Sequence, residues 1–140
     1  MEDAKAAVVE RAAAHARAKL SPPEAVTGEE FLRRYWQRVV AEDVAGRDPI
    51  DVYGAALAHL HLAAQRQPGN PRLRVYTPSF DDHGWASSHS VVELVTDDMP
   101  FLVDSVTMEL LRCGVGIHLV VHPVVDVARD PAGQLLGLGD

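Results

Sequence analysis

Seven histidines, one cysteine and a cluster of serines are the residues here that could ligate a metal or attack a carbonyl. Their spacing limits both chemistries. On one extended strand His118 and His122 stand about 13 Å apart at roughly 3.3 Å per residue, too far to share an ion. His59 and His61 leave different sides of a helix, and His83 and His89 flank a loop without a cysteine or a patterned carboxylate beside them. No metal site is expected. Cys113 falls in the last turn of a predicted helix, where the negative end of the dipole disfavours a thiolate, so core filling is expected rather than nucleophilic attack. Ser87, Ser88 and Ser90 lie near His83 and His89, but no orienting acid stands at a spacing that would complete a triad. Gly114-Val115-Gly116 precedes a strand instead of opening a helix, the reverse of a dinucleotide loop. Gly137-Leu138-Gly139 follows a possible strand with only Asp140 after it, so no cofactor is assigned to these residues.

The segment that does stand out is Asp97-Asp98-Met99-Pro100-Phe101-Leu102-Val103-Asp104-Ser105-Val106, which sets carboxylates and a proline between an apolar strand and a helix. N-capping by Asp98 or Met99 is its plain structural use. A helix N-terminus also offers free backbone N–H groups to a ligand carboxylate, although Asp97 and Asp98 compete for that place. Asp98, Met99, Pro100, Phe101 and Leu102 are therefore the candidate effector or interface residues.

The elements that would position this segment follow from periodicity and punctuation. Glu2 to Leu20 is alanine-rich, with high helix propensity but little bulky apolar surface beyond Val8 and Val9, which predicts a helix that packs weakly or on a partner. Ser21, Pro22 and Pro23 end it. Thr27 with Glu30 forms a capping box for a second helix carrying Phe31, Leu32, Tyr35, Trp36, Val39 and Val40. Asp48 and Pro49 open a third, with Ile50, Tyr53, Leu57, Leu60 and Ala64 at helical spacing. At Pro71 the pattern turns to β. Leu73 and Val75 alternate with Arg72, Arg74 and Tyr76 in a short strand, and Ser88 to Thr96 contains the β-branched run expected of a central strand. Leu102 to Leu111 reads as a helix stopped by Gly114 in the left-handed conformation. Val115 to Val121 alternates as a long strand that Val124 to Val127 prolongs, and Asp130-Pro131-Ala132-Gly133 turns the chain so that Gln134 to Leu138 returns. The first two strands should pair antiparallel, with Gln134 to Leu138 on the other side of the central strand, next to Val115 to Val121.

Composition narrows the function classes. With 20 acidic residues against 13 Lys and Arg the net charge is −7, which argues against a phosphate-backbone partner. Hydrophobic residues at 47% and charged residues at 24% are ordinary for a folded domain and unlike disorder. A chain of 140 residues suffices for one domain burying roughly 70% of its unfolded surface. Apolar runs fall well short of the roughly 20 residues a spanning helix needs. The single Cys113 and the acidic start, with Glu2, Asp3 and Glu10, make the cytoplasm the expected location, away from membrane and nucleic acid.

The succession of strand, Asp98-Met99-Pro100-Phe101-Leu102, a helix to Gly114, then Val115-Gly116-Ile117-His118 resembles the opening β-α-β of an ACT domain. The fuller run from His83-Gly84-Trp85 through Val91-Val92-Glu93-Leu94-Val95 to Ile117-His118-Leu119-Val120-Val121-His122-Pro123 resembles the N-terminal ACT-like region of the large bacterial NAD-specific glutamate dehydrogenases. That resemblance implies an α+β fold: helices over residues 1–70, then an ACT-like (ferredoxin-like) β-β-α-β-β layer with a mostly antiparallel sheet over 71–140, stopping short of the family's last strand. It implies a non-catalytic regulatory or assembly segment. The parent enzyme would convert L-glutamate and NAD to 2-oxoglutarate, ammonium and NADH, its catalytic residues and its NAD lying elsewhere in a longer chain. Its partners would be the rest of that dehydrogenase and its other subunits. The alternative within the same resemblance is an amino-acid-binding allosteric sensor. Many ACT domains carry glycine after the proline; here Phe101 is expected to fill that space with a buried ring.

Overall fold

The computed structural model describes residues 1–139. Four helices come first: α1 (Glu2–Lys19), α2 (Pro22–Trp36), α3 (Ala41–Ala45) and α4 (Pro49–Ala63). Then follow β1 (Arg72–Tyr76), α5 (Phe80–His83), β2 (Val91–Val95), α6 (Leu102–Arg112), β3 (Val127–Arg129) and β4 (Leu135–Leu138). The class is α+β with antiparallel pairing throughout, as expected.

The alanine bias of α1 has a different use from the one expected. Ala12, Ala13 and Ala16 are fully buried, and with Val8 and Val9 they press α1 against α2, α3 and α4. Small side chains let backbones approach closely, so the helix packs in the centre of the bundle without needing bulky residues. Pro22 and Pro23 likewise open α2 as well as following α1, because proline suits the first helical turn. Helix α2 therefore starts before the expected capping box at Thr27, and Ser21 at its N-cap makes no side-chain bond. Phe31, Leu32, Tyr35 and Trp36 form its buried face, and Trp36 Nε1 donates to Val52 O of α4 at 3.0 Å. Helix α4 begins as predicted, with Asp48 Oδ1 accepting from Ile50 N at 2.9 Å and Pro49 next in line.

Strands β1 and β2 pair antiparallel in the register Leu73↔Leu94, Arg74↔Glu93, Val75↔Val92. Arg74, Tyr76, Val91 and Glu93 face the helices, while Leu73 and Val75 are 63% and 64% exposed on the outer face. Here β2 has one strand neighbour and is not central. Gln134 to Leu138 does not flank it. β4 instead pairs with β3 across the predicted Asp130–Gly133 turn, where Asp130 Oδ1 accepts from Ala132 N and Gln134 N, both at 2.9 Å. That hairpin docks on the C-terminal end of α4 through Arg66 N to Gly133 O at 2.9 Å and Leu135 N to Ala64 O at 2.7 Å.

The expected strand from Val115 to Val121 is also absent as a ladder. Its alternation is genuine from Ile117 onward: Leu119, Val121 and Val125 pack on the helical core, whereas Val120 and Val124 are exposed. Alternation decides which side chains are buried, but a strand also needs a backbone neighbour, and here a helix bundle takes the apolar side. Helix α6 ends as predicted, with Gly114 at φ 83. None of its residues is fully buried.

Candidate functional site

The segment singled out by its sequence forms the loop between β2 and the N-terminus of α6. Its anchor is Asp97, whose Oδ1 accepts from Arg66 Nη2 at 2.9 Å; Arg66 is buried and also donates from Nε to Asn70 O at 3.0 Å. A buried guanidinium needs such partners, because an unpaired one would forfeit its hydration. Beyond Asp97 the loop stands free. Asp98 and Pro100 are exposed, Met99 and Phe101 are exposed apolar residues, and Leu102 is half-buried.

Neither Asp98 nor Met99 caps α6. The N-cap is Phe101, in the left-handed conformation at φ 63 and without a side-chain bond to the helix. Its ring is 75% exposed, so the expected buried filler of a pocket is an outward-pointing aromatic. Non-glycine residues rarely occupy this region of backbone space, because the β-carbon crowds the carbonyl there. Cys113 is corrected in the same way: it is exposed at the end of α6 and fills no core. Asp98, Met99, Pro100, Phe101 and Leu102 thus come together as one exposed, largely apolar corner.

The other polar concentration lies beneath the β1–β2 sheet. Glu93 is 2% exposed; its Oε2 accepts from Tyr76 Oη at 2.9 Å, while Oε1 is buried and has no protein partner among the described residues. His59 lies 3.0 Å by its Nε2 from Leu94 O and 3.2 Å by its Nδ1 from Tyr35 Oη. Since Leu94 O can only accept, Nε2 donates to it, and Nδ1 shares the other hydrogen bond with the Tyr35 hydroxyl. Burial, then the nearby Glu93 carboxylate, pushes the Tyr35 phenol well above its ordinary range. Tyr76 is raised by the same two causes in the same order, reinforced by its hydrogen bond to Glu93. The Tyr76–Glu93 bond joins β1 to β2, the Tyr35–His59 bond joins α2 to α4, and the His59–Leu94 bond ties helix to sheet. Sequence reasoning missed Glu93 because it read Val91 to Val95 as one apolar run. The two-residue period of a strand was the signal, since it puts Glu93 on the face of Val91 and Val95.

The histidines are dispersed. His83 Nδ1 accepts from Ser79 N at 3.1 Å, His89 stacks on His118 with ring centroids 3.9 Å apart, and His122 lines a separate cleft. Among the described residues no three His, Cys, Asp or Glu side chains gather as a metal site requires. No described helix is long and apolar enough to cross a membrane.

Comparison with known proteins fixes the setting of this corner. The family model described as "Glutamate dehydrogenase, ACT1 domain" matches residues 31–140. The chain belongs to this family. It is 35% identical to the NAD-specific glutamate dehydrogenase of Halomonas elongata over 134 residues, covering 96% of this chain and 8% of that protein. The enzyme of the same name from Pseudomonas aeruginosa is 36% identical over 105 residues, covering 75% and 6%. That of Mycobacterium tuberculosis is 34% identical over 79 residues, covering 56% and 5%. The chain therefore spans less than a tenth of the length of these curated relatives. No solved structure matches it. The match to the ACT1 family reaches from within α2 through β4, so it takes in part of the helical bundle as well as both strand pairs.

Proposed function

We propose that this chain is the non-catalytic N-terminal regulatory and assembly region of an NAD-dependent glutamate dehydrogenase, whose full chain would oxidise L-glutamate to 2-oxoglutarate with NAD. In this reading residues 1–70 form the helical segment and 71–140 the ACT-like domain, working in the cytoplasm within an oligomer. NAD belongs to the catalytic part of the parent, and no residue described above is assigned to it. The observation that carries the assembly role is the exposed apolar surface of the β1–β2 sheet and of α6. Leu73, Val75 and Val92 line the outer face of the β1–β2 sheet, and Phe101, Met108 and Leu111 stand out along α6. Helix α6 has a strong apolar stripe yet no fully buried residue. Exposed apolar groups gathered on one face of an element mark contact surfaces, and the partner inferred is the remainder of the dehydrogenase or its other subunits. Asp98, Met99, Pro100, Phe101 and Leu102 then serve as interface residues at the head of α6.

The experiment is made in the full-length parent enzyme. Met108→Glu together with Leu111→Glu should shift its sedimentation toward smaller species or abolish its regulation by effectors, while the residual dehydrogenase turnover keeps its KM for glutamate. Unchanged assembly and regulation would overturn the assembly reading. Saturable binding of an amino acid that Asp98→Asn or Met99→Ala weakens would favour the allosteric sensor instead.

A further inference from the structure

The charge of the chain is lopsided: residues 71–140 carry ten Asp or Glu against four Lys or Arg, whereas residues 1–70 carry ten against nine. The corner at the head of α6 is acidic and apolar together. Phe101 is exposed there, Asp104 lies three residues on and Met108 four beyond that, so helical spacing sets the three along one exposed stripe. Asp97 and Glu109 of the same region are taken by Arg66 and Arg112, but Asp98 and Asp104 pair with no Lys, Arg or His among the described residues.

A surface of opposite character lies between the end of α2 and the extended segment that follows α6. This cleft of about 250 Å³ has the buried Tyr35 and Val39 as its floor, the exposed Val120 and Val124 opposite, and no Asp or Glu in its lining. Arg34 is engaged by Glu30 within α2, whereas Arg38 is exposed and pairs with no carboxylate among the described residues. The cleft thus presents apolar walls and one uncommitted guanidinium. A cavity of about 150 Å³ is enough for benzene, so a phenyl ring fits.

We propose that the Phe101 corner of one copy of this chain docks in the Arg38 cleft of a second copy, its ring against the apolar walls and Asp104 on the guanidinium. The inference rests on the assembly reading and names the surface that α6 meets. The occupant is a second copy because both halves of the match stand on the one chain: an exposed ring and an apolar cleft, a free carboxylate and a free arginine suited to it. A symmetric contact of α6 with α6 would instead gather Asp98 and Asp104 against their own kind, and like charges across an interface are strongly unfavourable. Since the contact joins two different surfaces, it links copies head to tail.

The test is made in the full-length parent enzyme, with Phe101 replaced by the photoreactive aromatic p-benzoylphenylalanine and the protein irradiated. The expected result is a covalent link between two subunits that mass spectrometry maps to residues within 34–39 or 120–124. Arg38→Glu should lower the yield of that link about ten-fold, as should Asp104→Arg, and the two exchanges together should restore it. No link, a link within one subunit, a link to another part of the parent, or a double exchange that restores nothing would each overturn the proposal. If Met108→Glu with Leu111→Glu disperses the enzyme while no such link forms, α6 meets another surface and only this inference falls. If that variant leaves assembly and regulation unchanged, the assembly reading falls with it.

Discussion

Placing a β-carbon on Gly54 sets two known energies against each other, and the structure determines which wins. Gly54 is buried in the middle of α4, where alanine is the better helix former by about 0.8–1.0 kcal/mol. Propensity alone therefore makes Gly54→Ala stabilising. Yet the added carbon would fall within the van der Waals envelope of Trp85, 2.6 Å from Cδ1 and closer still to Cβ and Cγ. Those last two atoms lie at the root of the side chain, so no rotation about its outer bonds clears them. Overpacking of a close-packed site costs about 1–3 kcal/mol, and this contact belongs at the upper end. Expelling the indole, which is 5% exposed, is no cheaper, since complete loss of a buried Trp side chain costs about 3–5 kcal/mol. The net expectation is a loss of about 2 kcal/mol, or roughly 8 °C in Tm for a chain of this size. Urea denaturation of four proteins checks it: the unaltered chain, Gly54→Ala, Trp85→Ala and the double variant. With the indole removed, Gly54→Ala should change sign and stabilise by about 1 kcal/mol. A gain of about 1 kcal/mol from Gly54→Ala in the unaltered chain would refute the placement of Trp85 on α4.

Three further outcomes are expected. Phe101→Gly should leave stability within about 1 kcal/mol, because relief of about 1–2 kcal/mol of left-handed strain is offset by the greater backbone entropy of glycine in the unfolded chain; a loss of about 3–5 kcal/mol, the cost of a buried ring, would show that Phe101 is packed. Tyr35 and Tyr76 have folded-state pKa values raised above their unfolded ones, so the stability they contribute is whole below about pH 10 and is lost as pH climbs from there toward the folded values. Urea midpoints should therefore fall above pH 10, less steeply in Tyr76→Phe, and a flat profile would refute the buried cluster. The 140-residue chain incubated with glutamate and NAD should form no NADH, since no phosphate-cradling loop or paired acid and base was found in it; glutamate-dependent absorbance at 340 nm from the purified chain would contradict that.

Local signals were read correctly wherever a single residue dictates the backbone. Asp48-Pro49 sets the start of α4, Gly114 stops α6, and Asp130 to Gly133 turns the second hairpin, each through a conformation or hydrogen bond available within a few residues. Failures came where the outcome depends on what lies opposite. Val115 to Val121 alternates like a strand, but Leu119 and Val121 found helices rather than another strand. The alanines of α1 offered no bulk from which to infer a central position, because the closeness of α2, α3 and α4 is a property of the assembled bundle. Phe101 was expected inside because it follows Pro100 where many ACT domains carry glycine, and Cys113 because the last turn of a helix disfavours a thiolate; α6 brings neither of them there.

The orientation of β1 and β2 bears most directly on function. Antiparallel pairing puts Leu73 beside Leu94 and Val75 beside Val92 on one face, and Arg74 beside Glu93 on the other. A slip of one residue in either strand would exchange its faces, burying its aliphatic residues and exposing its polar ones. The observed register instead buries the polar set and gives it partners: Tyr76 donates to Glu93, and the Arg74 guanidinium sits 3.8 Å over the Tyr76 ring. Burying Glu93 costs desolvation that only such contacts offset. The aliphatic set is thereby held in solvent, where it stabilises the isolated chain little. An outward aliphatic face on one strand pair, joined through a loop to a helix with an apolar stripe and no buried residue, gains its full hydrophobic stabilisation only against another surface. That physical asymmetry is what supports the assembly role proposed above.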